Sequence, residues 1–178
     1  MLIKGEKIQE DTVVAIGKFA ILWNWFEHYR CENNCNPHKI RNIAKNLHVD
    51  MEKQANLSKV LNERRNWFGQ LELDYVVNSL HPGNARASSE EDIETMRQFM
   101  DQTGDDLICG CLLVIHRIRN NLMHGIKLLE ELDGQIELFN AANAVLESIK
   151  KRIYLILFWD YRKQVKKCAT YDPTTPPP

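Results

Sequence analysis

Between Cys111 and Leu122 the apolar positions Cys111, Val114, Ile115, Ile118 and Leu122 recur at a spacing that places them on one face only if the segment is a helix. The positions between and after them carry His116, Arg117, Arg119, Asn120, Asn121 and His124. At about 100° per residue, His116, Asn120 and His124 stack one turn apart opposite the apolar stripe. Arg119 and Met123 flank that row on one side, Arg117 and Asn121 on the other. Gly125 is the expected C-cap. A chain with this segment must bury the stripe against other elements and leave a guanidinium, an amide and an imidazole on one short surface.

The remaining periodic segments are also helical. Ile8 to about Arg30 forms a long first helix in which Val13, Ile16, Ala20, Trp23 and Phe26 share a face, with Trp23 and Trp25 as packing groups. Glu27, one turn beyond Trp23, is either a solvated charge or the partner of an arginine elsewhere. Asn36-Pro37 opens a second helix to about Leu47. Asp50 caps a third that runs from Met51 to near Trp67, with Ala55, Leu57, Val60, Leu61 and Phe68 inward and Arg64 and Arg65 on a solvated edge. Leu71 to Leu80 continues as a short helix before His81-Pro82-Gly83-Asn84 breaks the chain. Ser88 to Asp92 reads as a capping box that starts a helix ending near Gln102. Thr103-Gly104-Asp105 is a turn, with Asp105 the expected cap of the helix carrying the polar motif.

After the motif come a helical turn through Lys127 and Glu130, a break at Asp133-Gly134, and a long helix from about Gln135 to Val165. No internal repeat or alternating strand pattern interrupts the series. With only 8 Gly and 6 Pro among 178 residues, the fold class expected is all-α, an antiparallel helical bundle. It forms one domain over residues 1–170, followed by a disordered Pro-rich tail over 171–178.

A formal net charge of -1 excludes a strongly basic nucleic-acid coat protein but not a local basic patch. No window is apolar enough for a membrane span, and the start at Met1-Leu2-Ile3-Lys4 lacks a signal core, so a cytoplasmic protein is expected. Five cysteines in that setting favour reduced thiols over a disulfide framework. Cys109 and Cys111 sit in an apolar run and are expected as buried thiols. His28, Cys31, Cys35 and His38 flank a turn and could in principle hold zinc. Asn36-Pro37 already accounts for that segment as a helix start, however, and the spacing matches no common finger.

Arg119-Asn120-Asn121-Leu122-Met123-His124 has the form R-N-x-x-x-H, and a long helix containing Glu137 to Glu147 follows it. The pattern resembles the HEPN superfamily (higher eukaryotes and prokaryotes nucleotide-binding), closely over Ile115 to Lys127 and loosely over the whole bundle. Catalytic members carry an arginine, usually followed by a polar residue, and a histidine four to six residues later. The resemblance implies a metal-independent endoribonuclease, without cofactor, in which the motifs of two protomers face each other in a homodimer. It further implies a toxin or antiphage defence role, with an antitoxin or another regulatory protein as partner. One branch of the family has a tyrosine two residues after the histidine. Here Gly125 and Ile126 follow, so tyrosine modification is not the expected control.

The residue types suit that chemistry in their own right. Cleavage of RNA without a metal needs a base for the ribose 2'-OH, charge stabilisation for the phosphorane-like oxygens and an acid for the leaving 5'-oxygen. Histidine is the side chain whose unperturbed pKa lets it act near neutral pH, so His124 is the expected proton-transfer group. Arg119 offers a permanent planar charge for phosphate oxygens, and Asn120 can orient the imidazole or hold a phosphate oxygen. The motif face carries no carboxylate cluster, which speaks against a metal-ion mechanism. His116, Arg117, Asn121 and Lys127 are candidate RNA contacts, with Lys163, Lys166 and Lys167 as either a basic approach surface or an ordinary charged helix end. The alternative function is a non-catalytic module whose motif face binds RNA, nucleotide or a partner protein.

Overall fold

The computed structural model describes residues 2–3, 6–68, 89–123 and 132–151, with side chains over 8–63, 89–122 and 132–151. It is an all-α bundle. The helices are α1 (Glu10–Cys31), α2 (Pro37–Ala44), α3 (Met51–Phe68), α4 (Glu90–Asp101), α5 (Leu107–Met123) and α6 over 136–151, which follows a 3-10 turn at Asp133–Gln135. A hairpin of two-residue strands, Leu2–Ile3 against Glu6–Lys7, precedes them and had no signature in the alternation pattern.

The helix starts follow local chemistry. Asn36 accepts from the Lys39 amide at 3.0 Å and Pro37 occupies the first turn of α2. Asp50 accepts from the amides of Glu52 and Lys53 at the start of α3. Ser89 and Asp92 form a reciprocal capping box on α4. For α5 the cap is Asp106, which accepts from the Cys109 amide at 3.2 Å, rather than the expected Asp105. Gly104 takes up the left-handed backbone at φ 86° in the turn between α4 and α5, so the helix begins one residue later than the sequence suggests.

The core lies around α5. Its residues from Cys109 to Ile115 are all buried, so the helix is enclosed on more than one side rather than along a single stripe. Helix α4 packs most closely on it: a Cβ on Gly110 would come within 2.5 Å of the Phe99 Cβ and of the Thr95 carbonyl oxygen. Helix α1 buries Ala15, Phe19, Leu22, Trp23 and Phe26, while the expected Val13, Ile16 and Ala20 lie at the edge of that face. Phe19 meets Phe139 of α6 edge-on at 5.5 Å, and buried Asn143 donates to the Ala15 carbonyl at 3.0 Å. On α3, Leu57 and Leu61 point inward as expected, but Ala55 is exposed and Gln54 and Ser58 are buried in its stead. The Ser58 hydroxyl and the Asn62 amide both donate to the Met100 carbonyl at the C-terminal end of α4, which explains polar groups on an inner face.

The expectation of reduced thiols is corrected at the end of α1, where Cys31 and Cys35 form a disulfide. Four residues apart across a tight turn, they meet because Glu32 and Asn33 both take left-handed backbone and fold the chain back. With the two sulfurs joined, the reading of His28, Cys31, Cys35 and His38 as zinc ligands does not hold, and no group of three ligating side chains converges among the described residues. Cys109 and Cys111 are buried free thiols as expected. The expected helices after Gly69, the loop through His81 to Asn84, Lys163, Lys166, Lys167 and the Pro-rich tail lie outside the described residues, as do the side chains of Arg64 and Arg65. No described helix is long and apolar enough to cross a membrane.

Candidate functional site

Arg119 lies on the last turns of α5, four residues before its final residue Met123. Its guanidinium is held from two directions. One terminal nitrogen donates to Asn120 Oδ1 at 3.0 Å, and the other faces Glu27 Oε2 on α1 at 3.6 Å. The arginine and glutamate side chains retain 29% and 21% of their exposure, so the pair is shielded but open on one side. Arg119 Nε is buried and has no hydrogen-bond partner among the described residues.

Glu27 is the junction of the site. Besides Arg119, its Oε2 accepts from Trp23 Nε1 at 3.0 Å, and its Oε1 accepts from the Cys35 amide at 3.4 Å. The i, i+4 spacing of Trp23 and Glu27 puts both on the same face of α1. Of the two meanings open to Glu27, solvated charge or arginine partner, the geometry selects the second. One carboxylate therefore joins the motif, supplied by a different helix from the one that carries it.

His116 sits one turn before Asn120 and packs against the Trp23 ring at 5.8 Å between centroids. Burial, then the charges of Arg119 and Arg117, push its pKa down to about 4, against the opposing pull of a backbone hydrogen bond at Cys35 and of Glu27. At neutral pH the imidazole is uncharged and half-covered. It thus presents a neutral ring rather than a positive charge at the site.

Arg117 and Asn121, also expected as RNA contacts, are 4% and 6% exposed and point into the bundle. Arg117 belongs to a buried charge cluster instead. Asp92 of α4 is the carboxylate nearest in electrostatic effect, opposing the lowering of the Arg117 pKa that burial imposes. Asp92 also pairs with Arg41 of α2 and accepts from the Ser89 hydroxyl at 2.9 Å. Arg41 reaches the exposed Glu91 at 3.2 Å. The helical wheel misses this because α5 is covered on the side where Arg117 and Asn121 emerge.

Asn120 is at the site as expected, but its oxygen serves Arg119. His124 and Lys127 lie outside the described residues, as does the C-cap Gly125. The structure thus brings Arg119, Asn120 and His116 together, adds Trp23, Glu27 and the Cys35 peptide, and removes Arg117 and Asn121 to the interior. The addition of Cys35 had no signal in the sequence, since its contribution is a backbone amide. No protein-family model, curated protein or solved structure matches this chain.

Proposed function

We propose that the chain is a metal-independent endoribonuclease of HEPN type, acting as a toxin or antiphage defence effector, with Arg119 and His124 as its catalytic pair. The observation that carries this reading is the Arg119 guanidinium, partly open to solvent and fixed by Asn120 and Glu27 near the end of α5, five residues before the histidine in the sequence. Held this way, a planar cation can meet two phosphate oxygens without losing side-chain freedom on binding. His124 takes the proton from the 2'-OH or returns one to the leaving 5'-oxygen. Arg119 stabilises the charge that gathers on the phosphorane-like oxygens. Asn120 orients the guanidinium through its side-chain oxygen. One motif offers one histidine, and a two-fold homodimer supplies the second.

A second reading rests on the Glu27 contact. A guanidinium already neutralised by a carboxylate has less charge to offer a phosphate, which suits a non-catalytic module that binds RNA, nucleotide or a partner protein.

Incubating the protein with total tRNA and a labelled structured RNA in EDTA separates the two. The ribonuclease leaves cyclic phosphate and 5'-hydroxyl ends. His124→Ala and Arg119→Ala each lower the rate by about 10²-fold or more with the fold retained. Activity within a few-fold of wild type in both variants refutes the pair, and a monomer that still cleaves refutes the composite site. Absence of cleavage by a well-folded dimer favours the binding module.

A further inference from the structure

We infer that the Cys31–Cys35 disulfide is a redox-controlled positioning clamp for the Arg119 site: closed, it holds the Cys35 peptide against Glu27 and His116, and opened by a dithiol it lets that peptide go. The clamp deepens the reading of Arg119 given above and rests on it only for the consequence for cleavage.

The path from sulfur to guanidinium is short. Cys31 is the last residue of α1 and is fully buried, while Cys35 is only partly covered. Between them the chain reverses, with the Asn33 amide bonded to the Glu27 carbonyl at 3.0 Å and the Asn34 amide to the Cys31 carbonyl at 2.9 Å. Lys39 of α2 donates to that same Cys31 carbonyl at 2.9 Å. The reversal delivers the Cys35 amide to Glu27 Oε1, and the other oxygen of that carboxylate is the one that meets Trp23 and Arg119. The same Cys35 backbone hydrogen-bonds to His116. The backbone of one residue thus acts on both α1 and α5 at the site. The turn's own hydrogen bonds shape the reversal, but the Cys35 amide itself is tied to Glu27 by one long hydrogen bond of 3.4 Å, a weak contact that water can replace once the bridge no longer fixes Cys35 to the end of α1.

Opening follows ordinary thiol–disulfide exchange. A thiolate of the dithiol attacks the more exposed Cys35 Sγ, forming a mixed disulfide and expelling Cys31 as a thiolate, which takes up a proton. The second thiol of the reagent then attacks its own bound sulfur, closes the reagent's disulfide and expels Cys35, which is protonated in turn. Two electrons and two protons pass from the dithiol to the protein. Cys109 and Cys111 are no competitors, because burial pushes the Cys109 thiol up to about 12 and the Cys111 thiol up further.

The Trp23 indole N–H reports the clamp directly, since its acceptor is the Glu27 carboxylate. Its nitrogen-15 NMR signal, assigned by its loss in Trp23→Phe, is compared in the oxidised full chain and after dithiothreitol. Reduction shifts the signal and speeds its hydrogen exchange about tenfold or more, reoxidation restores both, and Cys35→Ser shows the reduced signal in either condition. RNA cleavage falls about tenfold on reduction, and Glu27→Gln has the low rate regardless of redox state. Unchanged Trp23 behaviour in wild-type protein that has gained two thiols overturns the clamp, whether or not Cys35→Ser folds. So does failure of Cys31 and Cys35 to form the bridge under oxidant. A Trp23 response without cleavage in either state upholds the clamp and overturns the ribonuclease reading. Cleavage with a silent Trp23 does the reverse.

Discussion

His116 and Arg119 stand three residues apart on α5, and α1 treats them oppositely: Trp23 covers the imidazole, while Glu27 meets the guanidinium. Covering suppresses the charged form of His116, and this links its protonation to stability. The folded-state pKa is about 4 against an ordinary value of 6.5, so the unfolded chain binds the extra proton first as the pH falls. The contribution of the neutral imidazole is complete above about pH 6.5 and is lost progressively as the pH drops toward 4. Relative to His116→Phe, which keeps a ring against Trp23 and cannot titrate, wild-type stability should fall by up to roughly 3 kcal/mol across that window. Urea unfolding at a series of pH values measures it, and parallel curves for the two proteins would refute the burial argument. Glu27 shows the limit of reading residues singly. Its sequence context allowed an arginine partner, but only the crossing of two helices identifies Arg119.

At the scale of elements, the contact between α4 and α5 depends on the absence of a side chain. Gly110 faces Phe99 and the Thr95 carbonyl, and no rotamer change moves a backbone oxygen aside. Gly110→Ala should therefore destabilise the fold by about 1–3 kcal/mol although alanine is the better helix former, because the helices must separate. Thermal or urea unfolding checks this, and a stabilised variant would show that helix propensity outweighs the close approach. The same packing explains why the wheel drawn for α5 is only half right. Its apolar stripe at Cys111, Val114, Ile115 and Ile118 is buried as read, but Leu112 and Leu113 are buried too. A helix central to a bundle has no free face over that span, and periodicity cannot reveal how many neighbours a helix will have.

For the molecule as a whole, Asp92 ties three helices together through Arg41 of α2, its own α4 and the field at Arg117 of α5. Removing the buried Asp92 carboxylate takes its negative charge away from Arg41 and Arg117, so Asp92→Ala should cost about 3–5 kcal/mol of global stability. The reciprocal half of the capping box, in which the Asp92 carboxylate accepts from the Ser89 amide and hydroxyl, is lost with it, while Ser89 Oγ still accepts from the backbone amide at position 92. Denaturant unfolding monitored at once by helix content and tryptophan fluorescence tests the whole-molecule role. Loss confined to α4, with the rest of the transition unmoved, would make the cluster a local cap only.

Helix positions, the starts of α2, α3 and α4, and chemistry-bearing residue types were determined by the sequence alone, because they follow from short-range rules: a 3.6-residue period, and the caps Asn36, Asp50 and Ser89 that bond their own next turn. The placement of Arg119 and Asn120 near the end of a helix belongs to the same class. Tertiary structure alone decided that Arg117 and Asn121 face inward, that His116 loses its charge, that Cys31 meets Cys35, and that Glu27 joins Arg119. Burial and electrostatics depend on which side of each helix a neighbour covers, and that is a property of the assembled bundle rather than of any segment within it.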